Sequence, residues 1–321
     1  MAAILVTEFL DPAGLEILSQ AGEVHYDPDL WRDAAALRAR VQEADALVVR
    51  NQTRVTRALL EETPIRVVGR LGVGLDNVDV RAAEALNVTV VVARGANATA
   101  VAEYVLAACF HFSRRLAWVG ETTQAGQWDR TLGGTELQGK WLGIVGLGDI
   151  GQRLALRARA LGMRVAAHDP AVLTTHWAVL DCDVALMPLD ELLASADFVS
   201  LHVPLTPETR HLLNRDRLRL MKPTAYLINT ARGGIVDEAA LAQALRENRI
   251  AGCALDVREE EPPASPDPLA SDERVLLTPH IAGLTAEARQ RTSLLVAEDV
   301  VRVLTGQEPR AAVVKAKEGR V

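Results

Sequence analysis

The chain has 321 residues, 49% apolar and 24% charged, a globular composition that excludes a disordered or fibrous chain and predicts two domains at roughly 150 residues each. Its 35 basic and 42 acidic side chains leave a net charge of −7, which disfavours nucleic-acid or anionic-membrane partners, and no apolar run approaches the roughly 18–20 residues of a membrane helix. Cys109, Cys182 and Cys253 lie far apart with no Cys-x-x-Cys pair, so no disulfide framework and no metal site is expected, and a cytoplasmic location is predicted.

The opening MAAILV meets Glu8, Asp11 and Pro12 too early for a signal peptide and reads as a first strand over 3–6. Short β-branched runs then alternate with Ala-, Leu- and Arg-rich amphipathic stretches. Strands are predicted over 23–26, 46–49, 66–69 and 89–92, and helices over 12–21, 33–43, 56–61 and 79–86. Asp11 before Pro12, and Thr56, are helix-start chemistry. Residues 98–113 are almost wholly apolar and predict a helix buried on most sides. A stretch rich in Gly and Trp over 120–140 precedes a second series, with strands over 141–145, 164–168, 198–203, 225–229, 251–255 and 275–277. A final helix over 285–304 is expected to return to the first domain and make it discontinuous. The proline-rich run 259–271 reads as a rigid loop and the charged tail 315–320 as loose. This alternation predicts α/β architecture with parallel sheets.

The first chemical signal is Gly146-Leu-Gly148-Asp149-Ile150-Gly151, between the strand 141–145 and the helical run 152–161. Gly146 permits the tight turn, Gly148 lets backbone approach a pyrophosphate, and Gly151 lets the helix pack on the strand, while helix N-terminal amides meet the phosphate charge. The next strand ends at Asp169, near the spacing at which an acid hydrogen-bonds the adenosine ribose; a carboxylate there repels a 2′-phosphate, so NAD is predicted over NADP. A fingerprint starting at residue 146 also means that an earlier α/β unit precedes the cofactor domain.

Further motifs stand in order: Val68-Gly-Arg-Leu-Gly-Val-Gly-Leu-Asp-Asn-Val-Asp79, His202-Val-Pro-Leu-Thr-Pro-Glu-Thr209, Asn229-Thr-Ala-Arg-Gly-Gly234, Ala254-Leu-Asp-Val257, Glu261-Pro-Pro263 and Thr278-Pro-His-Ile-Ala-Gly283. With them the chain resembles the D-isomer-specific 2-hydroxyacid dehydrogenases over nearly its whole length, most closely the phosphoglycerate dehydrogenase branch in a short form without a regulatory domain. The resemblance implies two Rossmann/flavodoxin-like, doubly wound parallel-sheet domains: a discontinuous substrate-binding domain over 1–97 and 284–321, and an NAD-binding domain over 98–283. It implies an active site in the cleft between them and a homodimer joined through the cofactor domains. It extends the cofactor contacts from the fingerprint to Asp149, Ile150, His202, Val203, Pro204, Thr230, Ala231, Arg232, Asp256, His280 and Gly283.

Oxidising a 2-hydroxy acid needs a group that holds the carboxylate, a group that takes the hydroxyl proton, and an acceptor for hydride. Arg232 suits the first, because guanidinium is a planar, permanently charged fork, and Gly233 and Gly234 are expected to leave room for substrate. His280 suits the second, since imidazole exchanges protons in both directions near neutrality. Glu261 completes the set: a carboxylate against imidazole fixes its tautomer and favours the imidazolium. Glu259 and Glu260 read as a solvated acidic run, and His25, His111 and His176 as bystanders.

For substrate, the glycines of Leu71-Gly72-Val73-Gly74 are expected to form an anion nest of converging amides. Arg50 matches an arginine that meets a second anionic group in phosphoglycerate dehydrogenases, and Arg130 is a further candidate; each also reads as an ordinary surface residue. Asn97 either bonds substrate or caps the long helix. Val73 departs from the hydroxyl residue usual in that branch, and Arg94-Gly-Ala-Asn97 from its Pro-Asn-Gly-Asn type of segment. A 2-hydroxy acid with a second anion, of the 3-phosphoglycerate or sulfolactate type, therefore competes with hydroxypyruvate or glyoxylate. Two other readings are an NAD-sensing corepressor, which would carry long flanking tails, and formate oxidation, which would carry Gln where Glu261 stands.

Overall fold

Runs of Val, Ile and Leu form strands here because β-branched side chains suit a pleated surface covered on both faces. The computed structural model describes residues 1–316, and the chain divides into two compact units, Met1–Asn97 with Leu284–Val321, and Ala98–Gly283. The first unit carries parallel strands β1 (Ala2–Val6), β2 (Gly22–Tyr26), β3 (Ala46–Val49), β4 (Val67–Arg70) and β5 (Thr89–Val92). The second carries β6 (Trp141–Val145), β7 (Arg164–His168), β8 (Val184–Leu186), β9 (Phe198–Leu201), β10 (Tyr226–Asn229), β11 (Gly252–Leu255) and β12 (Val275–Leu277), also parallel. A last strand, β13 (Ala312–Val314), pairs antiparallel with β5. The sheet orders are β13-β5-β4-β3-β1-β2 and β12-β11-β10-β9-β6-β7-β8.

Both sheets are doubly wound, with an apolar cluster on each face. Leu142 and Ile144 of β6 pack with Cys109, Leu154 and Ala158 on one side, while Val145 packs with Leu192, Leu201 and Leu241 on the other. In the first unit Leu47 and Val49 join Val41 and Leu60, and Ala46 and Val48 join Val296 and Val300. Those last two belong to the helix Ala286–Leu304, which lies on β4, β5 and the helix Pro12–Ser19. Thr285 starts that helix by accepting from the Ala288 amide at 3.1 Å.

Aspartates fix several other helix starts. Asp11 accepts from Ala13, Asp33 from Ala35 and Ala36, and Asp79 from Ala82, ahead of helices Pro12–Ser19, Ala34–Val41 and Val80–Ala85. Thr56 precedes a shorter helix, Arg57–Leu60, and makes no side-chain cap. Three elements escape the sequence pattern. The helix Leu116–Gln124 buries none of its residues, so it shows no apolar face to read. The strand β8 is only three residues long, and β13 runs into the charged tail. Of that tail, Lys315 pairs with Glu308 and the Ala316 amide donates to Thr89 Oγ1, while 317–320 lie outside the described residues. Among the described residues no helix is long and apolar enough to cross a membrane, no group of His, Cys, Asp and Glu is arranged to hold a metal, and all three cysteines are free and buried.

Candidate active site

The fingerprint turn leaves β6 at Gly146, whose φ of +97° is left-handed backbone and whose missing Cβ would stand 2.7 Å from the His202 carbonyl oxygen. Gly151 closes the turn in the same way, since a Cβ there would meet the Gly146 carbonyl oxygen at 2.3 Å. At Gly148, by contrast, a Cβ would meet nothing within 4 Å, and the residue is exposed: the space beside it is open. The amides of Asp149, Ile150 and Gly151 at the start of the helix Asp149–Ala160 find no acceptor among the described residues. Asp169 accepts from the Leu147 amide at 2.8 Å and the Ala171 amide at 2.9 Å, joining the acid at the end of β7 to the turn. Asp149 itself is exposed and pairs with Arg153 at 3.3 Å.

Past the ends of β9 and β10 two buried polar atoms lack partners, His202 Nδ1 and Thr230 Oγ1. The predicted strand 198–203 ends at Leu201, yet the His202 amide still donates to the Val145 carbonyl at 2.7 Å, and its Nε2 lies 2.9 Å from Ser200 Oγ. Burial drives this imidazole down to about 3, so it is neutral. Val203 packs beside Gly146, and the exposed Pro204 offers its carbonyl to Thr209 Oγ1. An open cradle at the helix start, free amides, an acid at the end of β7 and unpartnered polar atoms at the strand ends together fit a dinucleotide, in the position where open α/β sheets bind ligands.

His280, the Arg258 amide and the charge of Arg232 meet at Glu261. His280 Nδ1 lies 2.8 Å from Glu261 Oε2, and the Arg258 amide donates to Oε1 at 3.0 Å. Burial pushes the Glu261 carboxyl up, but the hydrogen bonds from His280 and the Arg258 amide, with the charges of His280 and Arg232, outweigh it and hold the group below the usual carboxylate range. The pair is half-exposed, His280 at 47% and Glu261 at 41% of their side chains. His280 holds a left-handed φ of +56°, which the surrounding bonds enforce. Asp256, almost fully buried, supplies them: its carboxylate accepts from Ile281 and Ala282 amides at 2.8 Å and from Thr278 Oγ1 at 2.6 Å, and its carbonyl accepts from the His280 amide at 2.8 Å. Tyr104 hydroxyl backs Thr278 at 2.6 Å. Asp256 thus shapes the turn that runs through His280 to Gly283.

Arg232 leaves β10 in extended backbone, held by Asn229, whose amide nitrogen donates to the Arg232 carbonyl and whose oxygen accepts from the Ala231 amide. The expected room behind it is absent at Gly233: a Cβ there would stand 1.9 Å from the Arg258 carbonyl carbon, so this glycine serves close packing of two loops. Arg258 was not evident in the sequence. Its guanidinium grips Glu238 at 3.0 and 2.8 Å and Asp267 at 2.6 and 3.1 Å, partners brought together only by the fold.

In the first unit the substrate candidates gather at the C-terminal ends of the strands. Both oxygens of Glu8 are taken by the amides of Arg50, Asn51, Gln52 and Thr53, at 2.8 to 3.2 Å. The Arg50 guanidinium makes no ion pair among the described residues. Burial lowers its pKa, the charge of Arg289 lowers it further and Glu8 opposes both, so a second arginine, hidden in the sequence by its distance along the chain, stands near it. The nest narrows, because the Leu71 amide donates to Val49 and the Gly72 amide to Arg70, leaving Val73 and Gly74. Leu71 is buried and Val73 is 45% exposed. Asn97 makes no capping bond to the following helix among the described residues, and Arg130 lies exposed in the second unit, away from any ion pair.

The family model described as D-isomer specific 2-hydroxyacid dehydrogenase, NAD binding domain, matches residues 106–282, more than half of the chain. The chain belongs to the D-isomer-specific 2-hydroxyacid dehydrogenases. Like other members of this family it is an NAD-binding oxidoreductase of two Rossmann-like α/β domains. It is 46% identical over 306 residues, 95% of this chain and 99% of the relative, to the (S)-sulfolactate dehydrogenase of Chromohalobacter salexigens. The D-3-phosphoglycerate dehydrogenase of Methanocaldococcus jannaschii is 40% identical over 309 residues, which cover 96% of this chain and 58% of that relative. Among solved structures, a protein of Thermus thermophilus superposes with a TM-score of 0.88 at 37% identity, covering 97% of this chain and all 100% of that one. The D-lactate dehydrogenase of Aquifex aeolicus, complexed with NAD and lactic acid, superposes with a TM-score of 0.85 at 28% identity, covering 98% and 100%.

Proposed function

We propose that this 2-hydroxyacid dehydrogenase interconverts a small 2-hydroxy acid bearing a second anionic group, of the sulfolactate or 3-phosphoglycerate type, with its 2-oxo acid. Bound NAD supplies the hydride acceptor. The fingerprint amides and Asp169 would hold the dinucleotide, and Thr230, Ala231, His202, Val203, Pro204, Asp256 and Gly283 would be its further contacts. Arg232 holds the substrate carboxylate through its guanidinium fork and draws electron density from the C2 oxygen. His280 offers Nε2 to the C2 hydroxyl, because Nδ1 is engaged by Glu261; the ring takes the hydroxyl proton in oxidation and returns it in reduction. Glu261 stabilises the imidazolium that forms. The observation that carries this reading is the 2.8 Å contact of His280 with Glu261 beside the charge of Arg232.

The second anion is argued from Arg50 and Arg289. The Arg50 guanidinium makes no ion pair among the described residues and feels the positive charge of Arg289, which Glu8, its carboxylate bonded to four backbone amides, offsets only in part; an anion entering there would be favoured. A relative that matches this chain almost from end to end is a sulfolactate dehydrogenase. We further read the protein as a cytoplasmic homodimer. The buried, unpaired thiols suit a reducing compartment. A second copy of the chain is the partner suited to the uncovered helix Leu116–Gln124 and to Phe110, Leu116 and Trp128, exposed by 44%, 67% and 83%.

Steady-state NADH oxidation against sulfopyruvate, phosphohydroxypyruvate, hydroxypyruvate and glyoxylate tests the substrate class. The highest kcat/KM is expected with one of the first two, and Arg50→Ala should remove that preference. A preference for glyoxylate or hydroxypyruvate would assign the enzyme to the other substrate class.

A further inference from the structure

We propose that Arg258 is a positioning residue for the reaction, setting both the Glu261 carboxylate and the Arg232 loop; this rests on the roles given to Glu261, His280 and Arg232 above. Its side chain is only 9% exposed and spans two carboxylates, Glu238 and Asp267, with four hydrogen bonds. Few groups other than a guanidinium have enough donors in one plane to fill both. The grip fixes three segments at once. Glu238 opens the helix Glu238–Arg246 that follows the Arg232 loop, and it exchanges backbone bonds with Glu259: each carboxylate accepts from the other's amide, at 3.1 and 2.8 Å. Asp267 also accepts from the amide of the buried Leu269 at 3.0 Å, anchoring the far end of the proline-rich loop.

The main chain of Arg258 passes this rigidity to the reacting groups in two directions. Its amide donates to Glu261 Oε1 at 3.0 Å, which orients the carboxylate whose other oxygen holds His280. Its peptide lies against Gly233, next to Arg232, with no space for even a Cβ between them. Arg258 touches neither the imidazole nor the substrate position; its effect goes through Glu261 and the Gly233 contact. Removing the arginine alone would leave two carboxylates buried and unpaired, whereas removing all three charges together is compatible with a folded loop.

The test uses the full-length enzyme with NADH and a 2-oxo acid it reduces. The triple variant Arg258→Met, Glu238→Gln, Asp267→Asn keeps volume and removes the charges. Its kcat is expected to fall about 10- to 100-fold, as misplacement of reacting groups does, with NADH affinity by fluorescence titration unchanged. Arg258→Lys, which keeps charge but loses the fork, should fall between the two. In a Glu261→Gln background the same three substitutions should cost less kcat than in the wild type, because only the Gly233 contact beside Arg232 remains for them to disturb. Undiminished kcat in the triple variant, or a full multiplicative loss in the Glu261→Gln background, would overturn the proposal and leave the roles of Glu261 and His280 standing. Full turnover in Glu261→Gln alone would overturn those roles and this inference together.

Discussion

Glu261 works between an imidazole and a guanidinium, and its own electrostatics are set by both. Burial raises its pKa; the bonds from His280 and the Arg258 amide and the charges of His280 and Arg232 lower it more. Folding therefore favours the ionised form. That contribution is complete above the ordinary carboxylate pKa and is lost as pH falls through the lowered value, so the carboxylate stays charged across neutrality. Glu261→Gln is expected to lower turnover about 100-fold while NADH affinity stays within about twofold; unchanged turnover would deny the carboxylate its role. His202 is different in kind: burial takes its imidazole to about 3, so it does not become a cation near neutral pH. Its replacement by Asn should leave the shape of the pH–rate profile untouched. Asp169 accepts from the Leu147 amide, and on the proposed reading its negative charge would disfavour a 2′-phosphate. Asp169→Ser should raise kcat/KM for NADPH relative to NADH by about tenfold or more, read from paired initial rates.

At the scale of elements, the loops that carry the chemistry are shaped by what lies behind them. Gly233→Ala forces a methyl into the Arg258 peptide and is expected to cost on the order of 2–4 kcal/mol of stability, measured by denaturant unfolding, with a parallel loss of turnover. A stability change within error would mean that the two loops can part at no cost. The sequence carries this region unevenly. Arg232, Glu261 and His280 sit in recognisable motifs, and the fingerprint glycines declare their turn because φ and close approach require them. Arg258, Glu238 and Asp267 look like ordinary solvated charges, since their pairing depends on contacts across 20 and 9 residues of chain. Asp256 reads in the sequence as a cofactor contact; what the fold shows is a clamp on the His280 turn, visible only once the amides of Ile281 and Ala282 are in place. Strands with both faces covered are legible as continuous apolar runs; the helix Leu116–Gln124 is not, because it buries nothing in the single chain.

That uncovered helix is a property of the whole molecule, as is the division into two units with the last helix packed on the first. If a second copy covers it, sedimentation or light scattering should give twice the mass of 34.7 kDa, and Leu116→Glu with Trp128→Ser should shift the population to monomer. A monomeric wild-type protein would exclude the second copy. On the proposed mechanism the half-exposed imidazole of His280, held by Glu261, exchanges the substrate proton in an NAD-dependent reaction. The most direct test is the kcat of NADH-dependent 2-oxo acid reduction in His280→Ala, measured beside NADH affinity in the same preparation. A loss of about 100-fold or more in kcat is expected, with NADH affinity preserved. Near-normal kcat would contradict it.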